Sequence, residues 1–269
     1  FILGPALGGF AAEWDWSEDS SSVFGFTPFS MAAMISLILA LTNWAWIILF
    51  FKETLPVQRR GADKQPKPAI FQLGKIFDKP VRSTCVVYLL YMISFSGMEF
   101  TLTFLAVERF GYKPMQLASM FLVIGLTLIL AQGFFVRRFV GIIGEKRMAL
   151  LGILLGALSF VLVSQSFHEI KFFIALFLMS CGVALISPTL TALTSLHSGE
   201  QDQGFHLGVF RSSGSIARAL GPILAGLAYF FYGSSTAYLA GAILLSLPFI
   251  ILMRAVSYTH LTLPTSYPV

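Results

Sequence analysis

The sequence predicts an all-α membrane protein with several spans, and two observations carry this prediction. Of its 269 residues, 56% are hydrophobic and only 12% are charged, which is more apolar surface than a soluble core requires. The apolar residues gather into stretches of about 20, the length at which an α-helix crosses the hydrocarbon layer of a bilayer. This pattern is typical of a bundle of membrane helices.

We predict seven complete spans, with a truncated one over Phe1–Ala12 before them. The complete spans lie at about Ser30–Phe51, Ser83–Val107, Gln116–Val136, Met148–Ser166, Lys171–Leu193, Leu207–Phe231 and Ser235–Met253. Each of these stretches has the roughly 20 residues that a membrane-crossing helix needs.

One short motif occurs twice, as Gly4-Pro5-Ala6-Leu7-Gly8-Gly9 and as Gly221-Pro222-Ile223-Leu224-Ala225-Gly226. A Gly-Pro step removes one backbone hydrogen bond from a membrane helix, and the small residues after it let a neighbouring helix pack closely. If the spans alternate in direction, both copies run the same way and lie six spans apart. The repetition therefore predicts two parallel halves, with about four further spans before the first copy.

Basic residues predict the orientation, because Lys and Arg concentrate in the cytoplasmic loops of membrane proteins. The long connection Lys52–Arg82, the loop with Arg137, Arg138 and Arg147, and Arg254 after the last span all fall on one side. The acidic loop Glu13–Phe29 falls on the other side. The basic residues form no patch interleaved with aromatic side chains, so nucleic-acid binding is not expected.

Several motifs resemble those of the major facilitator superfamily, in particular its proton-coupled drug antiporters. The segment Gly4–Gly9 is similar to the end of their fifth-helix signature. Glu53-Thr54-Leu55-Pro56 resembles a motif after the sixth span, although Lys52 stands in place of its proline. The segment Gly133–Arg147 resembles the loop between the eighth and ninth helices, with Arg137 at its acidic position. The most specific likeness lies in Phe95–Leu105 and Ile216–Pro222.

This resemblance implies a partial bundle, from the end of span 5 through span 12 of twelve. Residues 1–51 would end the N-terminal half, 52–82 would form a cytoplasmic linker, and 83–255 would form the C-terminal half. Residues 256–269 instead resemble the translation of a sequencing-library adapter, so we exclude this tail from the fold. A short natural polar tail is the alternative.

The resemblance also implies a secondary transporter that works by alternating access between its two halves. It implies proton-coupled export of amphipathic organic ions, so the expected partners are a small organic ion, protons and the lipid bilayer. No cofactor is expected. A facilitator without proton coupling and a transporter-like scaffold or sensor remain as alternatives.

Two charged residues within spans, Glu99 and Arg218, are the main candidate site residues. A charge near the bilayer centre costs roughly 2.5–3.5 kcal/mol on insertion scales, so it commonly has a partner or a function. We expect the two to pair or to share a water-filled cavity in at least one state. Glu99 would then accept and release the coupled proton as Arg218 moves. A fixed ion pair, or a carboxylate hydrogen-bonded to a neighbouring helix, is the structural alternative.

Other candidates follow from their position in the spans. Helical spacing places Tyr88, Met92, Phe95 and Glu99 on one face, which would line the substrate cavity, although such stripes more often form ordinary packing. Arg218 would hold a substrate carboxylate through its bidentate guanidinium, as the resemblance implies. Gln132 is a further candidate substrate ligand, with a simple hydrogen bond across helices as the alternative.

Sequence features that would support an enzyme or a metalloprotein are not found. Cys85 and Cys181 lie in spans and are interpreted as small apolar residues instead of a disulfide or metal pair. The histidines lack metal-ligand spacing, and neither a phosphate-binding glycine loop nor a nucleophile arrangement is found. We therefore expect neither a metal site nor catalysis.

Overall fold

The structure is a computed structural model that describes residues 8, 28–52, 78–199 and 202–255. Of the first Gly-Pro motif it describes Gly8, whose backbone is helical, whereas Gly4, Pro5 and Gly9 lie outside the described residues. Glu53 and the tail 256–269 lie outside them as well. The interpretations given above for these residues stay predictions.

All regular secondary structure in the described part of the chain is helical. Its helices are α1 (Pro28–Phe50), α2 (Lys79–Phe110), α3 (Pro114–Leu130), α4 (Arg137–Ile143), α5 (Glu145–Ser164), α6 (Glu169–Leu196), α7 (Gln203–Tyr232), α8 (Ser234–Leu244) and α9 (Ser246–Arg254). A π-helical segment, Ala131–Val136, joins α3 to α4 within one continuous helical span. Likewise α8 and α9 form one span that is interrupted at Leu245.

Within the residues that the structure describes, seven helical spans have the length and apolar composition to cross a membrane, and they confirm the seven complete spans predicted. They are Ser30–Phe50, Lys79–Phe110, Pro114–Ile143, Glu145–Ser164, Glu169–Leu196, Gln203–Tyr232 and Ser234–Arg254. Most of them are longer than the predicted apolar stretches. The reason is that backbone hydrogen bonding continues through polar residues such as Lys79, Glu169 and Gln203, which hydropathy alone assigns to loops.

Glycines with positive φ set two of the sharp helix ends. Gly144 has φ 85° and separates α4 from α5, and Gly233 has φ 86° and separates α7 from α8. A residue with a Cβ is strained in this left-handed conformation, whereas glycine adopts it readily. Two consecutive spans are therefore joined at Gly233 by a single residue, as a tight connection requires.

The contacts divide the described residues into two units. The first contains α1 and residues 102–127, and its helix α1 leaves large apolar side chains exposed, among them Trp44 and Leu49. The second contains residues 78–101 and 128–255 and holds both Glu99 and Arg218.

Close helix packing in the second unit depends on glycine. A Cβ on Gly152 of α5 would lie 2.9 Å from the carbonyl oxygen of Gly182 on α6, so the two backbones nearly touch. Helix α5 also packs against α8, and α7 packs against both α6 and α8. Small residues permit this approach, and dispersion contacts between such closely packed helices drive association in membranes.

Buried hydroxyl groups in this unit mostly bond to their own helix. Ser159 donates to the Gly156 carbonyl at 2.7 Å, and Ser180 donates to the Leu176 carbonyl at 2.8 Å. Such bonds satisfy a polar side chain three or four residues from its acceptor without help from a neighbouring helix. Exceptions in which a hydroxyl reaches another helix are therefore informative about packing.

Candidate functional site

The two intramembrane charges lie on helices that contact each other, because α2 carries Glu99 and α7 carries Arg218. The Ser96 hydroxyl of α2 donates a hydrogen bond to the Ala217 carbonyl of α7, with 3.1 Å between the oxygens. Ser96 lies three residues before Glu99, and Ala217 directly precedes Arg218. The predicted neighbourhood of the two helices is therefore present in the structure.

Glycines bring the α2 and α7 backbones together at this level. A Cβ on Gly97 would lie 2.6 Å from the Ala225 Cβ and 2.8 Å from the Gly221 carbonyl oxygen. A Cβ on Gly221 would lie 2.6 Å from the Ile93 carbonyl oxygen. Gly221 opens the second Gly-Pro motif, so the close packing that the motif predicts occurs between α7 and α2.

The proline of that motif does not end its helix. Pro222 lies inside α7, which continues to Tyr232. Gly226, the last residue of the motif, is buried, and a Cβ there would lie at an ordinary contact distance of 3.5 Å from Phe100 Cε1. The motif thus includes one glycine that packing requires at this interface and one with room for a methyl group.

Aromatic side chains line the same pair of helices toward the end where α7 begins. The rings of Tyr88 and Phe210 stack with their centroids 4.0 Å apart and an angle of 18° between their planes. A Cβ on Gly214 would lie 2.5 Å from Tyr88 Cε1, so Gly214 makes room for the tyrosine ring. The rings of Tyr91 and Phe95 are nearly parallel, with centroids 6.0 Å apart.

The charges form one electrostatic neighbourhood. The guanidinium of Arg218 interacts with both Glu99 and Tyr88, and the charge of Arg211 also acts on Tyr88. Glu99 is half-buried, whereas Arg218 and Arg211 are exposed. Among the residues that the structure describes, no direct ion pair joins Glu99 to Arg218.

Helix register explains why the two charges do not touch. Tyr88 of α2 faces Gly214 of α7, and Phe100 of α2 faces Gly226 of α7. The residue numbers differ by 126 in both pairs (214 − 88 and 226 − 100), so the two helices run parallel. On this register Arg218 lies about seven residues, roughly 10 Å, nearer than Glu99 to the N-terminal ends of the two helices, at 1.5 Å rise per residue. A modest sliding or tilting of α7 against α2 would change the distance between the charges.

The other predicted site residues lie apart from this pair. Gln132 is half-buried in the π-helical segment, which packs against α6. Within the described ranges, no hydrogen bond or ion pair joins Gln132 to α2 or α7. Arg137, Arg138 and Arg147 are exposed at the ends of α4 and α5. Their placement fits a basic loop outside the membrane.

Some contributors at the α2–α7 interface were not predicted from the sequence. Ser96, Gly97 and Phe210 were absent from the candidates, although each contacts the other helix. The small residues Gly214, Ala217, Gly221 and Ala225 recur every three or four positions, and this spacing was a visible signal for a close helix interface. Which helix packs there is fixed by the tertiary structure.

Comparison with protein families identifies the class of this chain. The family model described as Major Facilitator Superfamily matches residues 127–267, about half of the chain. The chain therefore belongs to the major facilitator superfamily. It is a multi-pass integral membrane protein of a transporter superfamily and not an enzyme.

Curated relatives point to one branch of the superfamily. The chain is 29% identical to major facilitator superfamily domain-containing protein 10 of Mus musculus, over 94% of this chain and 56% of the relative. The Homo sapiens protein of the same name is also 29% identical, over 98% of this chain and 58% of the relative. Multidrug resistance protein 2 of Bacillus subtilis is 27% identical over 85% of this chain. The chain spans little more than half the length of these relatives.

Solved structures agree with this placement. The crystal structure of the human organic anion transporter MFSD10 superposes with a TM-score of 0.71 at 29% identity, covering 82% of this chain and 57% of that one. The E. coli fucose:proton symporter gives a TM-score of 0.63 at 16% identity, covering 95% of this chain and 64% of that one, which shows the shared fold alone.

Proposed function

We propose that the protein is a secondary active transporter that exports amphipathic organic anions by proton-coupled alternating access. The observation that carries the proposal is that the half-buried Glu99 on α2 and the exposed Arg218 on α7 lie on helices joined by the hydrogen bond from Ser96 to the Ala217 carbonyl. Ionisable groups at membrane depth are costly and commonly mark substrate or proton pathways.

Arg218 has the properties of an anion-binding group. Its guanidinium is exposed although it lies in a membrane span, so it faces a polar cavity or a polar partner in the membrane. A guanidinium binds a carboxylate through two parallel hydrogen bonds and stays charged throughout the physiological range. The stacked Tyr88 and Phe210 rings beside it offer an apolar surface for the rest of an amphipathic substrate.

Glu99 supplies the proton-binding group in this scheme. When Arg218 is close to Glu99, the positive charge favours the ionised carboxylate, and when Arg218 moves away or binds an anion, the carboxyl group takes up a proton more readily. Proton binding and substrate binding are then linked through one mobile cation. The two charges are offset by roughly 10 Å along the helix axis, so a shift of α7 relative to α2 would change this coupling.

The relatives support the substrate class. One solved relative is described as a human organic anion transporter, and one curated relative is a bacterial multidrug resistance protein. We further propose the domain organisation given by the resemblance, in which residues 83–255 form the C-terminal half behind the linker 52–82. The cavity between the halves would then be completed by helices beyond those described.

The test compares Glu99→Gln with the parent in proteoliposomes, using the chain extended to the length of its relatives. Uptake of a fluorescent organic anion is followed with and without an imposed pH gradient. We expect the parent to respond to the gradient, and Glu99→Gln to lose that response while it still binds the anion. Glu108→Gln, which changes an exposed carboxylate of the same helix, is the matched control and should respond like the parent.

Other outcomes assign other functions. Uptake that ignores the gradient in both proteins would make the protein a facilitator and Glu99 a structural residue. Anion binding without uptake by any of the variants, in vesicles that retain the gradient, would indicate a scaffold or sensor. Arg218→Lys keeps the charge but loses the bidentate fork, so weaker anion binding in this variant would support the substrate role of Arg218.

A further inference from the structure

A cavity lies on the side of α2 away from Glu99. It has a volume of about 170 Å³ and lies between α2, α5, α7 and α8. Ser94, Met98 and Thr101 of α2 line it, and the helical spacing of these residues places them on a different face from Tyr88, Phe95 and Glu99. The cavity is therefore separate from the proposed transport site.

Most of the cavity wall is apolar. Phe160 of α5, Leu224 and Ala228 of α7, and Ala237 and Leu244 of α8 form much of it. A water molecule needs two to four polar partners to stay in such a cavity, and apolar cavities of about 150 Å³ are known to stay dry and to bind a molecule as large as benzene. An apolar ligand is therefore a better match than a cluster of water.

Hydroxyl groups on α2 mark two points along this wall. Ser94 Oγ lies 3.4 Å from the Leu90 carbonyl oxygen, longer than an ordinary O–H···O hydrogen bond, so its hydroxyl can turn toward a ligand at little cost. Thr101 Oγ1 lies 3.1 Å from the Gly97 carbonyl oxygen and 3.3 Å from the Tyr238 hydroxyl. Ser94 and Thr101 are two turns apart, roughly 10 Å along the helix axis.

The cavity is reached from an apolar surface. Leu224, which lines it, is 53% exposed, and the neighbouring Leu220, Ile223 and Leu227 of α7 are exposed too. All four lie within the membrane span Gln203–Tyr232. A ligand that enters past these side chains must dissolve in an apolar phase.

We propose that this cavity binds small apolar alcohols that dissolve in the membrane, with the ligand hydroxyl hydrogen-bonded to Ser94. The volume is close to that of apolar cavities that bind small molecules such as benzene, and most of the wall matches an alkyl chain. Thr101 and Tyr238 also line the wall but share a hydrogen bond with each other, so Ser94 is the hydroxyl best placed to bond to the ligand. Gly221 and Ala225 line the cavity and also form the close contact between α7 and α2. A bound alcohol therefore lies against the interface that the transport site shares, and its binding does not depend on transport.

The test is photolabelling of the purified protein, extended to the length of its relatives, with a diazirine-bearing octanol and peptide mapping by mass spectrometry. We expect label in peptides of α2, α7 or α8, displaced by unlabelled octanol. Ser94→Ala should weaken binding of the alcohol by about three- to tenfold, the effect of one hydrogen bond. A diazirine-bearing octane, which has no hydroxyl, should label parent and Ser94→Ala equally.

Matched alanine variants of α8 test the location. Ala237 lines the cavity whereas Ala242, on the same helix, does not, so Ala237→Leu should abolish labelling and Ala242→Leu should preserve it. Thermal melts show whether each variant is folded, and Ser94→Ala tests the same proposal without a change of volume. Labelling spread evenly over all spans, or unchanged in both Ser94→Ala and Ala237→Leu, would overturn the proposal.

Discussion

Replacement of Gly221 by alanine tests the α2–α7 interface most directly. The new Cβ would lie 2.6 Å from the Ile93 carbonyl oxygen and 3.0 Å from the Gly97 backbone nitrogen. Both neighbours are backbone atoms of α2, so the helices must separate to admit the methyl group. Gly226→Ala is the matched control in α7, because its Cβ would lie 3.5 Å from Phe100 Cε1.

The difference in unfolding free energy between the two variants isolates the cost of the close contact at Gly221. Both replacements gain the same helix propensity, about 0.8–1.0 kcal/mol, so this contribution cancels in the difference. Overpacking at Gly221 costs about 1–3 kcal/mol. Separation of the helices also weakens the bond from Ser96 to the Ala217 carbonyl, which is worth about 0.6 kcal/mol in a membrane. Gly221→Ala should therefore have a free energy of unfolding about 1.5–3.5 kcal/mol below that of Gly226→Ala.

The assay is SDS-induced unfolding in mixed micelles, with thiol labelling of Cys85 as the readout. Cys85 is fully buried in the folded protein, so a thiol-reactive dye reaches it only after unfolding. Gly226→Ala should unfold at or above the SDS fraction of the parent, and Gly221→Ala should unfold below it. Equal midpoints for the two variants would refute the close contact between α7 and α2.

Two further predictions concern other parts of the chain. The Lys146 ammonium donates to the Met253 carbonyl at 3.1 Å and also contacts the Ala255 carbonyl. Lys146→Met should therefore lower the free energy of unfolding by about 0.3–1 kcal/mol, whereas Arg147→Met, at an exposed position, should not. Equal SDS midpoints for the two variants would contradict this role of Lys146. The chain alone, without extension to the length of its relatives, should show no gradient-driven uptake in proteoliposomes, and measurable uptake would contradict the proposed domain organisation.

The positions of the membrane spans, and of the charged residues within them, were the features that the sequence predicted best. Hydropathy located the seven spans because the apolar length that a bilayer requires is a local property of the chain. The ends of the helices were predicted less well, since polar residues such as Lys79 and Gln203 continue a helix beyond its apolar stretch. The π-helical turn at Ala131–Val136 was not predicted, because it depends on how one span packs against its neighbours.

The candidate site was predicted only in outline. Glu99 and Arg218 were found because charges in an apolar span are conspicuous, and the family architecture indicated that their helices are neighbours. The axial offset between them is set by the register of α2 and α7. That register is fixed by contacts between residues more than a hundred positions apart, such as Ser96 with Ala217, which no local pattern contains.

Hydroxyl groups that bond to their own helix bear on how this protein enters the bilayer during synthesis. A helix whose serines and threonines already donate to its own carbonyls, as Ser159 does in α5 and Ser180 does in α6, brings few unsatisfied donors into lipid. Such a span can leave the translocon before its neighbours have been made. Charged residues cannot be satisfied in this way, so the spans with Glu99 and Arg218 gain most from insertion beside partners, and their integration is expected to depend most on the order of synthesis.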